Sequence, residues 1–117
     1  VKYLRRAGYR ILDRNVTLPM GEADIVAEAP PEPSAGGARA IVVVEVKCRV
    51  LGDSARPPPE AQVHPAKRRK LLAILRYLSK ANHWEGRPRR VDIIAIDWGP
   101  RGARTLRHFV GAVRLRA

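Results

Sequence analysis

The sequence predicts an α/β fold, a central mixed β-sheet flanked by α-helices. Residues 40–47 hold the run Ile41-Val42-Val43-Val44, whose β-branched side chains suit a central strand covered on both faces. Residues from Pro65 onward carry Leu71, Leu72, Leu75 and Leu78 at helical spacing. Residues 90–97 then return to a strand pattern through Val91, Ile93, Ile94 and Ile96. Strand, helix and strand in that order make a crossover within one sheet.

The other elements follow in order. Residues 1–7 read as a basic helix stopped at Gly8. Val1-Lys2-Tyr3-Leu4 look like the middle of a helix rather than its capped beginning, so a truncated first helix is expected. Residues 9–12 read as extended, Asp13-Arg14-Asn15 as a turn, and Val16-Thr17-Leu18 as a short strand ending at Pro19. Residues 22–27 alternate as a strand with one working face. The Pro- and Gly-rich residues 30–37 cannot be regular structure and read as an exposed connection within a hairpin. A second loop covers 51–59, and His64-Pro65 opens the helix. After residue 97 come a Gly-rich turn and a last strand over 105–110. No repeat is present, and 117 residues suit a single domain over 1–117.

Lys and Arg number 23 against 11 Asp and Glu, a formal charge of +12. So one-sided a balance points to a polyanionic partner, nucleic acid above all, because surface cations displace counterions from phosphates. No apolar run reaches membrane-spanning length, so no membrane partner is expected. The single cysteine, Cys48, excludes an intrachain disulfide and a Cys-based zinc cluster, and fits a reducing cytoplasm. Cys48 falls on the opposite side of its strand from Lys47 and is expected to be a small packed residue.

The candidate chemistry lies at strand ends. Strand alternation puts Glu22 and Asp24 on one side, and Glu45, Lys47 and Arg49 on one side. If the two strands are neighbours, these groups converge. Ionised carboxylates are costly to bury unless paired or metal-bound. Asp24 and Glu45 supply the oxygen ligands that Mg²⁺ (or Mn²⁺) takes, with a backbone carbonyl such as that of Val46 as a further donor. Lys47 beside them suits orientation of a water or stabilisation of an oxyanion. The residues alone fit equally well an ion-pair cluster of Glu45 with Lys47 and Asp24 with an arginine.

Gly21-Glu22-Ala23-Asp24-Ile25-Val26 followed by Val44-Glu45-Val46-Lys47-Cys48-Arg49 resembles the bacterial UPF0102 (YraN-like) family. Flanking agreement comes from Gly8-Tyr9-Arg10-Ile11-Leu12, Lys67-Arg68, Tyr77-Leu78 and Arg90-Val91-Asp92-Ile93-Ile94-Ala95-Ile96, and covers most of the chain. That family is similar to Holliday-junction resolvases and groups with the restriction-endonuclease-like PD-(D/E)xK fold. The resemblance implies Asp24 and Glu45 as metal ligands, Lys47 as the catalytic lysine, and Glu22 as a further acidic residue at the site. It also implies Mg²⁺-dependent phosphodiester hydrolysis of DNA, branched or damaged, with a homodimer expected by analogy. Two departures stand out. Ala23 replaces a bulkier aliphatic residue. Related nucleases often carry a glutamate on the first helix, and no acidic residue precedes Asp13 here.

Outside that motif, Lys67, Arg68, Arg69 and Lys70 crowd the start of a helix, where cations oppose the macrodipole, so phosphate binding is expected of them. Arg49 is expected to contact nucleic acid or to be an ordinary surface arginine. Trp84 and Trp98 fit either base stacking or anchoring of the core. Asp92 reads as structural. The alternative function is a non-catalytic DNA- or RNA-binding module that keeps the nuclease fold.

Overall fold

The structure is a computed structural model that describes residues 1–50, 65–102 and 104–115, apart from the side chains at 35, 49, 50 and 100. The loop expected at 51–59 and His64 lie outside the described residues. A short helix α1 (Lys2–Arg6) precedes strands β1 (Arg10–Leu18), β2 (Gly21–Glu28) and β3 (Ile41–Val50). Helix α2 (Pro65–Ala81) leads to β4 (Arg89–Trp98) and β5 (Arg104–Leu115). The five strands form one sheet in the order β1-β2-β3-β4-β5. Only β3 and β4 are parallel, as the intervening helix requires, so the sheet is mixed. An α/β architecture with helices against a central mixed sheet is what the sequence predicted.

Each sheet face has its own core. Val42 and Val44 of β3 pack with Ile25, Ala27, Leu4, Tyr9 and Ile94 on the α1 side. Val43 packs with Ala23, Val26, Val91 and the α2 side chains Leu71, Ile74, Leu75 and Leu78 on the other. The β-branched run is therefore covered on both faces, and Ile41 to Val44 are 0–1% exposed. Ile74 joins the buried stripe of α2, whereas Leu72 is only partly buried.

Two local readings are corrected. Asp13-Arg14-Asn15 is not a turn, because β1 runs unbroken through it and pairs with β2 from Arg10 to Leu18, with a bulge between Ile11 and Asp13. Asn15 does take the left-handed φ of 51° that its side chain tolerates, but as a kink within the strand. The connection at 30–37 is not wholly irregular either. It holds a 3₁₀ turn at Pro33–Ala35 and is closed by a Glu32–Ala38 bridge.

A buried polar hub ties α1 and β5 to the sheet. Asp92 on β4 is 0% exposed. Its carboxylate accepts from Tyr9 Oη (2.9 Å), Arg90 Nε (2.8 Å) and the Gly111 amide (2.9 Å), and lies 2.8 Å from His108 Nε2. Tyr3 Oη lies 2.9 Å from the other ring nitrogen of His108. Burial would raise the Asp92 pKa, but hydrogen bonds from Arg90, Gly111 and His108 hold it below the usual carboxylate value. Tyr9 moves the other way, pushed up to about 12 by burial and then by the Asp92 charge. The sequence reading of Asp92 as structural agrees with this role.

Candidate functional site

The β2–β3 ladder sets the geometry. It pairs Glu28 with Ile41 through to Ile25 with Val44. One step further, Asp24 Oδ2 accepts the Val46 amide at 2.9 Å, a side chain closing the gap where the ladder stops. Side-chain alternation also breaks here. Ala23 packs on the α2 face, whereas Ile25, two residues on, packs on the α1 face. Asp24 sits at that switch, and its carboxylate lies against the Glu45–Val46 segment. Glu22 is exposed and paired across from Thr17 on β1. Among the described residues no group of three or more His, Cys, Asp or Glu side chains is arranged to hold a metal.

Glu45 and Lys47 follow Val43 on the α2 face, and α2 supplies their neighbour. Lys67 Nζ lies 2.5 Å from Glu45 Oε1. The second oxygen, Glu45 Oε2, is buried with no hydrogen-bond partner among the described residues. A buried carboxylate oxygen left bare carries a desolvation cost. Lys47 has its pKa lowered, first by burial and then by the Lys67 charge, with Glu45 opposing. Glu45, Lys47 and Lys67 therefore form one coupled group beside the Asp24 contact.

Carboxylate oxygens are the ligand type that a hard divalent cation takes. Asp24 and Glu45 offer carboxylate oxygens on adjacent strands, and Glu45 Oε2 has no competing partner among the described residues. Lys67, expected to contact phosphate, is instead engaged in an ion pair with Glu45 Oε1. Arg68, Arg69 and Lys70 are exposed on the first turns of α2. Lys70 lies across Gly21, where a Cβ would collide with its side chain. The absence of a side chain at Gly21 thus lets a cation reach the β1–β2 turn.

Arg49 sits on β3 opposite Asp97, and its side chain is outside the described residues. Cys48 is exposed rather than packed. Trp84 packs against the α2 core, and the exposed Trp98 is covered by the Arg104 guanidinium 5.4 Å from its ring centroid. Two residues passed over in the sequence border the site. Arg14 and Asn15 line a cavity of about 360 Å³ with Asp24 and Val46. Asn15, a common turn former, masked them by suggesting a turn instead of a strand.

A model of the Uncharacterised protein family UPF0102 matches residues 1–96. The chain belongs to the UPF0102 family. It is 41% identical over 114 residues to a UPF0102 protein of Pelobacter propionicus, covering 97% of this chain and 75% of that protein. A UPF0102 protein of Syntrophotalea carbinolica is 39% identical over 94% of this chain and 80% of its own length. One from Persephonella marina is 35% identical over 82% of this chain and 74% of its own. Asp24, Glu45, Lys47 and Lys67 all lie within the residues of this chain that the family model matches. Among the described residues no helix is long and apolar enough to cross a membrane.

Proposed function

We propose that this UPF0102 protein is a Mg²⁺-dependent endonuclease of the restriction-endonuclease-like kind, hydrolysing phosphodiester bonds in DNA. The observation that carries the reading is the buried Glu45 Oε2, without a hydrogen-bond partner among the described residues, beside a lysine of lowered pKa, with Asp24 fastened to the next amide. Asp24 and Glu45 would hold the ion. Bound there, Mg²⁺ would supply an activated water and neutralise charge building on the phosphate.

The chain's own residues do the rest. Lys47, its pKa lowered by burial and by the Lys67 charge, donates hydrogen bonds to a non-bridging phosphate oxygen or to the attacking water. Arg68, Arg69 and Lys70 hold flanking phosphates, and Arg14 reaches the strand from the other side of Asp24. A reducing cytoplasm suits the exposed Cys48, and two copies would place two sites on one duplex.

The test is a cleavage screen on linear, branched and single-stranded DNA with Mg²⁺ or Mn²⁺. Cleavage is expected with metal and should drop at least 100-fold in Asp24→Ala and Lys47→Ala. Cleavage that persists in both variants overturns the assignment.

One observation favours a second reading, a non-catalytic DNA-binding module. Lys67 already sits on Glu45, and among the described residues no group of three or more His, Cys, Asp or Glu side chains is arranged to hold a metal. That reading expects salt-sensitive binding, no cleavage, and an affinity unchanged by Asp24→Ala.

A further inference from the structure

The α1 face of the sheet is only partly covered. Val46, Ile94 and Ile96 all pack on that face. The register runs Val46–Ile94–His108 across the three strands, and in the next row Cys48–Ile96–Leu106. Beyond these, Trp98 pairs with Arg104. Paired residues share a face and alternate residues return to it, so Cys48, Leu106, Trp98 and Arg104 all lie on the α1 side.

Helix α1 reaches the first of these rows, where Tyr3 Oη meets His108. It spans only Lys2–Arg6, and the rows beyond it face outward. Cys48 is exposed, Leu106 is 40% exposed and Trp98 39%. Leu106 and Trp98 are diagonal neighbours across β4 and β5, with Tyr3, itself 37% exposed, at the margin. Large apolar side chains exposed singly are ordinary, whereas adjoining ones mark a contact surface.

The charge on this corner has one sign. The Arg104 guanidinium lies 5.4 Å from the Trp98 ring centroid, and Arg101 is exposed on the turn between β4 and β5. Among the described side chains of these rows there is no Asp or Glu. An indole and a guanidinium on an apolar surface free of acids are the parts of a base-stacking platform, because every base has a π face and arginine adds a cation–π contact. The corner also adjoins the candidate site. Val46, in its first row, lines the cavity that holds Asp24. Trp98 lies four residues beyond the Val46–Ile94 row, roughly 13 Å, or about four steps of a stacked nucleic-acid strand.

We propose that this corner holds an unpaired nucleotide of a DNA strand, its base stacked on Trp98 and its phosphates met by Arg104 and Arg101. Bases within a continuous duplex are stacked on one another, so a protruding indole selects those that are free. A second copy seated face to face would bring its own arginines against these, and like charges oppose that arrangement. The proposal rests on the nucleic-acid part of the function proposed above and not on cleavage.

Titration of the full chain with oligo(dT), without divalent metal and at 0.15 M salt, tests this. Oligo(dT) should quench the tryptophan emission, since Trp84 packs against the α2 core and Trp98 is the exposed indole. Trp98→Ala should weaken labelled oligo(dT), read by anisotropy, about fivefold or more, while duplex affinity and the circular dichroism spectrum stay as in the native chain. Trp98→Phe, which keeps a ring, should recover most of the loss. A chain that shows these changes but never cleaves DNA loses the nuclease reading and keeps this surface. No quenching at saturating oligo(dT), equal losses on single-stranded and duplex DNA, or a dimer in sedimentation that Trp98→Ala dissolves overturns the proposal.

Discussion

Replacing Asp92 by Asn tests the buried hub most directly. The change keeps size and removes one charge. Asp92 is 0% exposed, and the Arg90 side chain is 11% exposed, so Arg90 would be left inside the protein without its counterion. Breaking a buried ion pair from one side costs about 3–5 kcal/mol. The amide adds to this. Tyr9 and Arg90 Nη2 both point at Oδ2, and the amide nitrogen cannot accept there. Keeping the amide oxygen on that side would instead strip the acceptor from Arg90 Nε and Gly111. A loss near 4 kcal/mol is a large part of the ~5–15 kcal/mol that holds a domain together.

Urea unfolding followed by circular dichroism reads the change. At a slope of roughly 2 kcal/mol per molar, the midpoint should fall by about 2 M. The double variant Asp92→Asn with Arg90→Met should recover part of the loss, because no unpaired charge remains. A pH series supplies the sign. The folded Asp92 pKa is depressed, so its stabilisation is present above the unfolded value and is lost as pH falls through the folded one. The gap between native protein and variant should therefore be full at pH 6, begin to narrow below about pH 4, and close only as pH falls through the folded value. A loss under ~1 kcal/mol at pH 6, where a buried pair should be worth several times that, would refute the hub as the fastening of α1 and β5.

Other expectations follow from the site. Lys67→Met removes a charge that depresses the Lys47 pKa, so the Lys47 titration should move upward, read by NMR of ¹³C-methylated lysines. An unchanged Lys47 titration would separate the two lysines. The same variant frees Glu45 Oε1, and Mn²⁺ affinity should rise about tenfold. Gly21→Ala forces a side chain into φ +143° and against Lys70, and should cost about 1–3 kcal/mol in thermal unfolding. Double replacement of Arg68 and Arg69 by Ala should lower the slope of log DNA affinity against log salt by about 1–2, the signature of lost phosphate contacts. A slope equal to the native one would remove those residues from the interface.

Much of the fold was legible because its signals are local. The β-branched run of β3, the leucine spacing of α2 and the return through Val91–Ile96 each encode one element and the face it buries. Asn15 misled because its left-handed tolerance serves a kinked strand as well as a turn. The adjacency of Asp24 and Glu45 followed from reading β2 and β3 as a hairpin. The break in alternation at Asp24 did not, because it depends on where the neighbouring strand stops pairing.

The sequence alone determined the order of elements, the two-faced burial of β3, the excess of positive charge and the pairing of an acidic turn with a Glu-x-Lys strand end. These are properties of residue type and periodicity. Only the tertiary structure decided that Lys67 lands on Glu45, that one Glu45 oxygen has no hydrogen-bond partner among the described residues, and that Asp92 gathers residues 9, 90, 108 and 111. Those contacts join segments far apart in the chain. Which charges meet is fixed by strand register and by the angle at which α2 covers the sheet, and both are set by long-range burial rather than by any local pattern.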